Sequence, residues 1–259
     1  MLELQKDIIY GPILSRRLGK SLGINLLPTH IKLCSLNCSY CQYGWTQQQI
    51  SEAGDLRRAL PSVNEVVLSV LKALTHINEI DYITFSGNGE PTLHPDFAEI
   101  VDEIVQIRNE MRPRVKIALL SNSTTCHRLA IRKAIEKIDL PIMKLDAGTA
   151  KTFNKLNHGI PPVTYETVLQ GLKALNKYVI QSMFVQGRVN NSTDSEVESW
   201  IKRLQELRPM YVQIYTLDRP PASESIEPVP LDRLQKIAER VKKYTGLDAF
   251  VYNNEKLKK

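Results

Sequence analysis

The chain is poor in cysteine. Four occur in 259 residues, and Cys126 is the only one outside a single eight-residue stretch. So few thiols in so long a chain exclude the disulfide framework of a small secreted domain. Histidine is scarce as well: His30, His76, His94, His127 and His158 are scattered, with no paired spacing. No run of about 18 apolar residues occurs, so hydropathy offers no membrane-spanning helix. The start, Met1-Leu2-Glu3-Leu4-Gln5-Lys6-Asp7, lacks the basic-then-apolar order of a signal peptide. A cytoplasmic location away from any membrane is therefore expected. Low-complexity linkers and internal repeats are also missing. The length would fit one large domain or two small ones. With 42% hydrophobic and 24% charged residues it reads as one globular domain over 1–259, with a core of about 21–218 and an extension of about 219–259.

What the chain does have is positive charge. Its net charge is +6, and its pI of about 9.0 is basic. A basic surface attracts RNA and other phosphate-bearing molecules. Local groups stand at Arg16-Arg17-Lys20, Arg112-Arg114-Lys116 and Lys256-Lys258-Lys259, but no RNA-binding signature lies among them. A merely solvated surface is the competing reading.

The three remaining cysteines stand in Cys34-Ser35-Leu36-Asn37-Cys38-Ser39-Tyr40-Cys41, spaced C-x3-C-x2-C. Three thiolates on one short loop can hold three corners of a cubane iron–sulfur cluster. The fourth iron then lacks a protein ligand at this loop and is open to a small molecule. The alternative is a zinc site completed by a histidine such as His30, although zinc sites usually pair C-x2-4-C with a second ligand pair.

Helical and strand periods alternate about every 30 residues, the mark of βα units around a parallel sheet. Residues 1–20, with Gly11-Pro12 and then Ser15-Arg16-Arg17, read as an irregular segment. The two adjacent arginines could form a fork for an anion at the open mouth of the barrel. Ser21 to Leu27 reads as the first strand, stopped by Pro28. Ser62 to Ile77 reads as a helix, because Ser62 and Glu65 form a capping box and Val66, Val70 and Leu74 share a face. Ile80 to Phe85 is the second strand, ending in Ser86-Gly87-Asn88-Gly89-Glu90-Pro91-Thr92. Further helices are expected at Phe97–Ile107, His127–Ile138, Thr164–Tyr178, Ser192–Leu207 and Leu231–Tyr244. Strands are expected at Val115–Leu120, Leu140–Leu145, Val179–Val189 and Tyr211–Leu217, with an edge strand at Asp248–Tyr252. Six βα units follow, an α/β fold in the form of a partial (β/α)6 TIM-like barrel with parallel strands, an N-terminal irregular segment and a C-terminal helix. Sites in such folds lie at the C-terminal ends of the strands. A half-open barrel of this kind leaves a wide lateral gap, which suits a large substrate.

The cysteine spacing with Tyr40, followed by Gly89-Glu90-Pro91 at a strand's end, resembles the radical S-adenosylmethionine (SAM) superfamily. The likeness covers about 200 residues in matching order. It implies one 4Fe-4S cluster on Cys34, Cys38 and Cys41, with SAM chelating the open iron. One electron from the reduced cluster would break SAM to a 5′-deoxyadenosyl radical that takes hydrogen from the substrate. Glu90 and Gly89 match the family's GGEP motif, which contacts the amino group of SAM, although Asn88 stands where Gly is more usual. The resemblance also implies SAM contacts from Tyr40 and from the strand-end residues Asn122, Asp146 and Arg188. It assigns no catalytic partner for the hydrogen abstraction. Gly11-Pro12-x-x-Ser15-Arg16-Arg17-Leu18-Gly19 and Asp218-Arg219-Pro220-Pro221-Ala222 resemble small members related to wyosine-base synthases. A nucleotide or transfer RNA is then the expected substrate. Those synthases carry a second cluster, for which Cys126 alone is not enough. With no flavodoxin-like domain attached, an external flavodoxin or ferredoxin is the expected donor. Two other readings stand beside this one: an activating enzyme for a glycyl-radical protein, and a non-catalytic metal-binding RNA-binding protein.

Overall fold

The computed structural model describes residues 1–253, so Lys256, Lys258 and Lys259 lie outside the described residues. Eight strands form one sheet in chain order: β1 (Ile9–Ser15), β2 (Gly19–Ile24), β3 (Tyr82–Phe85), β4 (Lys116–Ser121), β5 (Leu140–Lys144), β6 (Val179–Met183), β7 (Val212–Tyr215) and β8 (Ala249–Tyr252). From β2 to β8 every pairing is parallel. Helices fill the crossovers: α1 (Val63–His76), α2 (Phe97–Met111), α3 (Leu129–Ile135), α4 (Ala150–Leu156), α5 (Tyr165–Lys173), α6 (Asp194–Leu207) and α7 (Leu231–Thr245). This is the partial barrel expected, with six βα units closed by an edge strand.

Two faces of each strand serve two cores. Ile117, Leu119, Met143, Ile180 and Ile214 point outward and join the helices in the main cluster. Their neighbours Ala118, Ile142 and Val179 point inward, where they meet Leu18. α1 shows why its segment is helical. Ser62 Oγ accepts from Glu65 N, the Glu65 carboxylate accepts from Ser62 N, and Val66, Val70 and Leu74 are fully buried. Burying one such side chain is worth about 1.5–3 kcal/mol, so this face fixes the helix on the sheet.

The N-terminal segment departs from expectation. It is not irregular: β1 pairs antiparallel with β2, with a register shift between Tyr10 and Ile13 at Gly11-Pro12. Its residues are mostly exposed, so no alternation marks it, and its order comes from a neighbouring strand. The first parallel strand accordingly begins at Gly19 and ends at Ile24. The side expected to hold a wide lateral gap is crossed by the chain. The β1–β2 turn reaches across to the other edge of the sheet, where Arg16 pairs with Asp218 and Arg17 stacks on Tyr215 and Tyr252. The span expected as one strand over Val179–Val189 is two pieces. β6 ends at Met183, and Val185–Gly187 pairs instead with Ile226–Pro228.

Candidate functional site

The cysteine loop leaves the sheet after β2 and folds over the C-terminal ends of the strands. Leu33–Cys34 pairs in parallel with Gln48–Gln49, and Leu33 also bridges to Gly89. Turn bonds from Cys41 N to Cys38 O (3.1 Å) and Gly44 N to Cys41 O (3.0 Å) curl the loop back. The far side of the loop docks on the end of α4. There Asn37 N donates to Asn157 O and Ser39 N to Leu156 O, both at 2.9 Å. The last carbonyls of a helix have no partner within it, so the loop satisfies them.

Cys34, Cys38 and Cys41 line one cleft of about 370 Å³, which Tyr40, Gly89, Glu90 and Asn122 also line. Each sulfur meets a nitrogen donor. Asn122 Nδ2 stands 3.4 Å from Cys34 Sγ, Asn157 Nδ2 3.3 Å from Cys38 Sγ, and Lys32 Nζ 3.1 Å from Cys41 Sγ. Burial pushes the Cys34 thiol up to about 12 and the Cys38 thiol up to about 11. Lys32 is 5% exposed, donates to Gly44 O at 2.7 Å, and has no carboxylate partner among the described residues. His30 is exposed and does not line the cleft. Among the described residues no three of His, Cys, Asp and Glu gather as ligands of a single ion.

The turn after β3 forms the next wall. Gly89 has φ +143°, and a Cβ there would lie 1.6 Å from the Leu33 carbonyl oxygen, so only glycine lets this turn close on the loop. Glu90 is buried, and burial raises its carboxyl above the usual range against the pull of its hydrogen bonds. It accepts from Thr92 N (3.2 Å), Thr92 Oγ1 (2.6 Å), Ser121 Oγ (2.9 Å) and Asn122 N (2.5 Å). The carboxylate thus ties the β3 turn to the end of β4. Asn88, the departure from the glycine pattern, is fully buried and donates to Gln5 O and Pro28 O.

Asp146 accepts from Met183 N (2.8 Å), Tyr40 Oη (2.5 Å) and Asn157 Nδ2 (3.0 Å), and pairs with Lys144 at 2.8 Å. Burial opposes the charge on Lys144, but Asp146 and Tyr215 outweigh it and its ammonium is held above the ordinary value. Tyr40 is raised by burial and then by Asp146. Lys144 lies 5.0 Å from the Tyr40 ring and 4.8 Å from that of Tyr215. Tyr40, Gly89, Glu90 and Asn122 are therefore brought together with the cysteines in the cleft, whereas Asp146 is buried behind Tyr40 and Asn157 and does not line it. Arg188 is exposed and also lies outside the residues lining the cleft. Cys126 is buried, packed under Gly171, and contributes nothing to the cleft.

Three polar residues of the site escaped the sequence: Lys32, Lys144 and Asn157. Lys32 lies two positions before Cys34, and Lys144 two before Asp146. That i, i−2 placement on an extended segment, which turns both side chains to one face, was the signal available. Asn157 follows a helix that the periodicity did not reveal.

A model of the radical SAM superfamily matches residues 29–204. A UPF0026 protein of Methanocaldococcus jannaschii is 33% identical over 235 residues, covering 89% of this chain and 70% of that one. A protein of Brachyspira hyodysenteriae described as GTPase Obg is 30% identical over 239 residues, and this chain spans 90% of itself but only 33% of that relative. Among solved structures, TYW1 with a lysine-pyruvate adduct bound superposes with a TM-score of 0.60 at 15% identity, over 86% of this chain and 73% of that one. The structure of anSMEcpe with bound AdoMet gives 0.59 at 16%, over 89% and 63%. No helix among the described residues is long and apolar enough to cross a membrane. With the three-cysteine loop, the glycine–glutamate turn and the half-barrel in one chain, the family match leaves one conclusion: the chain belongs to the radical SAM superfamily, and within it to the UPF0026 proteins.

Proposed function

We propose that the protein binds one 4Fe-4S cluster through Cys34, Cys38 and Cys41 and cleaves SAM reductively to modify a nucleotide-type substrate. One observation carries the cluster: three buried or half-buried thiols line a single cleft, each beside a nitrogen donor, with the buried Lys32 ammonium left without an acid. Such a donor set suits an anionic group larger than one ion, and hydrogen bonds to the sulfurs tune its potential. When bound and reduced, the cluster supplies the electron that breaks SAM to methionine and a 5′-deoxyadenosyl radical.

The chain's own residues then divide the remaining work. Gly89 lets the main chain approach closely, and Glu90 presents a carboxylate for the ammonium of SAM. Asn122 donates to Ser35 Oγ at 3.0 Å, which fixes its amide beside the cluster loop. Tyr40 and Asn157 orient Asp146, the carboxylate expected to meet the ribose or the amino-acid portion of SAM. A basic net charge and the resemblance of the Gly11–Gly19 and Asp218–Ala222 segments to proteins related to wyosine-base synthases support a nucleotide or transfer RNA as substrate, with an external flavodoxin or ferredoxin as donor.

Protein prepared anaerobically should contain about four irons per chain, the cubane stoichiometry. After reduction it should release 5′-deoxyadenosine from SAM. Stoichiometric zinc under iron-replete anaerobic conditions would overturn the cluster assignment. Deuterated RNA, nucleotide and peptide pools, offered separately, identify the substrate class by the label in 5′-deoxyadenosine. Label from peptide alone would favour the activating-enzyme reading, and no 5′-deoxyadenosine at all would favour a non-catalytic role.

A further inference from the structure

We propose that the wall of the cleft where the β1–β2 turn meets the end of β7 is a binding site for an oxyanion of the substrate, with Arg17 as its principal ligand. The proposal rests on the nucleotide reading above, under which the oxyanion is a phosphate. A second cavity of about 330 Å³ adjoins the cleft and shares Ile13, Arg17, Tyr40, Met183 and Tyr215 with it. A ligand can therefore occupy both spaces at once.

The charges around this cavity do not cancel. Arg16, Arg17 and Arg219 line it, and the one carboxylate among the lining residues, Asp218, is already engaged by Arg16. Arg219 is exposed at the rim and donates to Gln42 Oε1 at 2.7 Å, with no acid partner among the described residues. Arg17 forms no ion pair among them either. Its guanidinium lies 5.1 Å from the centre of the Tyr215 ring and 6.0 Å from that of Tyr252. Two aromatic neighbours hold the planar fork without using its N–H donors. Its Nη1 is buried and finds no acceptor, and the same is true of Arg16 Nη1. Buried donors left unpaired carry a desolvation penalty with nothing returned. An oxyanion returns it, because the guanidinium fork matches the spacing of phosphate or carboxylate oxygens.

Binding to the reconstituted, SAM-saturated holoenzyme tests the proposal. Equilibrium dialysis would compare the four ribonucleoside 5′-monophosphates with the matching nucleosides, and inorganic phosphate with acetate. Wild type, Arg17→Gln and Arg17→Lys are measured side by side. At least one monophosphate should bind wild type tenfold or more tightly than its nucleoside. That advantage should fall below twofold in Arg17→Gln and be partly kept in Arg17→Lys. Equal binding of the pair to wild type, or an advantage that survives Arg17→Gln, overturns the site. Arg17-dependent binding of phosphate or acetate, with no nucleotide bound, upholds the site and rejects the nucleotide reading instead. No anion binding at all overturns the site. If Arg17→Gln does not fold, the wild type still decides. Modification of Arg17 by an arginine-selective dicarbonyl, read by peptide mass spectrometry, should slow tenfold in phosphate against chloride at equal ionic strength. Equal rates overturn the proposal.

Discussion

For Glu90, one substitution can separate the proposed SAM contact from a structural role. Its carboxylate takes two backbone N–H groups, at Thr92 and Asn122, as well as two hydroxyls. Glu90→Ala leaves buried donors unpaired, so stability of the metal-free protein should fall by about 1–3 kcal/mol in chemical denaturation. SAM affinity of the folded holoenzyme should fall as well. If affinity is unchanged while stability drops, the residue is structural only. Lys32 gives a second test. A buried ammonium beside Cys41 favours the more negative, reduced state of whatever the loop holds. In Lys32→Met, reduction should become at least tenfold less favourable, a shift of about 59 mV toward negative potential for one electron. A redox titration followed by electron paramagnetic resonance reads this directly, and an unshifted potential at full iron content counts against it. At this scale the cysteines, Gly89 and Glu90 were legible because their chemistry depends on local spacing. Lys32, Lys144 and Asn157 were less so, because an isolated lysine or asparagine acquires a role only from what tertiary packing places beside it. Arg188 shows the reverse: a strand-end position in the sequence, but a chain that leaves the barrel after Met183 and carries the side chain to the surface.

Most long elements with a clear period appear where the sequence puts them, to within four residues at their ends, but the helix expected to reach Tyr178 stops at Lys173 and the strand expected to reach Val189 stops at Met183. α4 and β1 do not, and the reasons differ. α4 has seven residues, too few for a period to show, and is started by Thr149, whose Oγ1 accepts from Thr152 N at 3.2 Å. β1 is exposed along most of its length and carries Gly11-Pro12, so both its composition and its pattern argue against a strand. Only its pairing with β2 makes it one. The position of α4 beneath the cysteine loop leads to a paired experiment. Thr149→Ala and Ser62→Ala each remove a helix cap and should each cost about 1 kcal/mol in thermal or chemical denaturation. Only the first cap lies on the helix that receives the cysteine loop. Iron should therefore leave Thr149→Ala faster under chelator than it leaves Ser62→Ala. Equal rates of loss would mean that α4 does not anchor the loop.

The whole molecule is a scaffold whose strands are secured on their outer face by helices and at their C-terminal ends by loops. The main core does not include most of the cysteine loop, which leans on short pairings and on α4. Anything that binds only the folded form adds stability by mass action. Removing iron from the loaded protein should lower its melting temperature and open new protease cleavage within residues 35–60, with β4 to β7 still protected. Unchanged melting on chelation, with iron loss verified, would show that the loop is ordered without its metal. The basic surface makes a separate prediction. RNA binding, if it contributes to function, should weaken steeply between 50 and 200 mM salt, as counterion release requires.

The tie between the β1–β2 turn and the far edge of the sheet bears on how a polymer could be processed. Arg16 is fastened to Asp218 and Arg17 is laid against two tyrosines, so a strand of RNA lying along this side of the barrel would have to displace those contacts. Entry at the mouth would leave them in place. A folded nucleic acid would have to offer a single nucleotide turned out of its stack, and helical regions that resist such eversion would be ignored whatever their sequence. Selection would then fall on loops, bulges and chain ends, and the tie would act as a gauge of local flexibility.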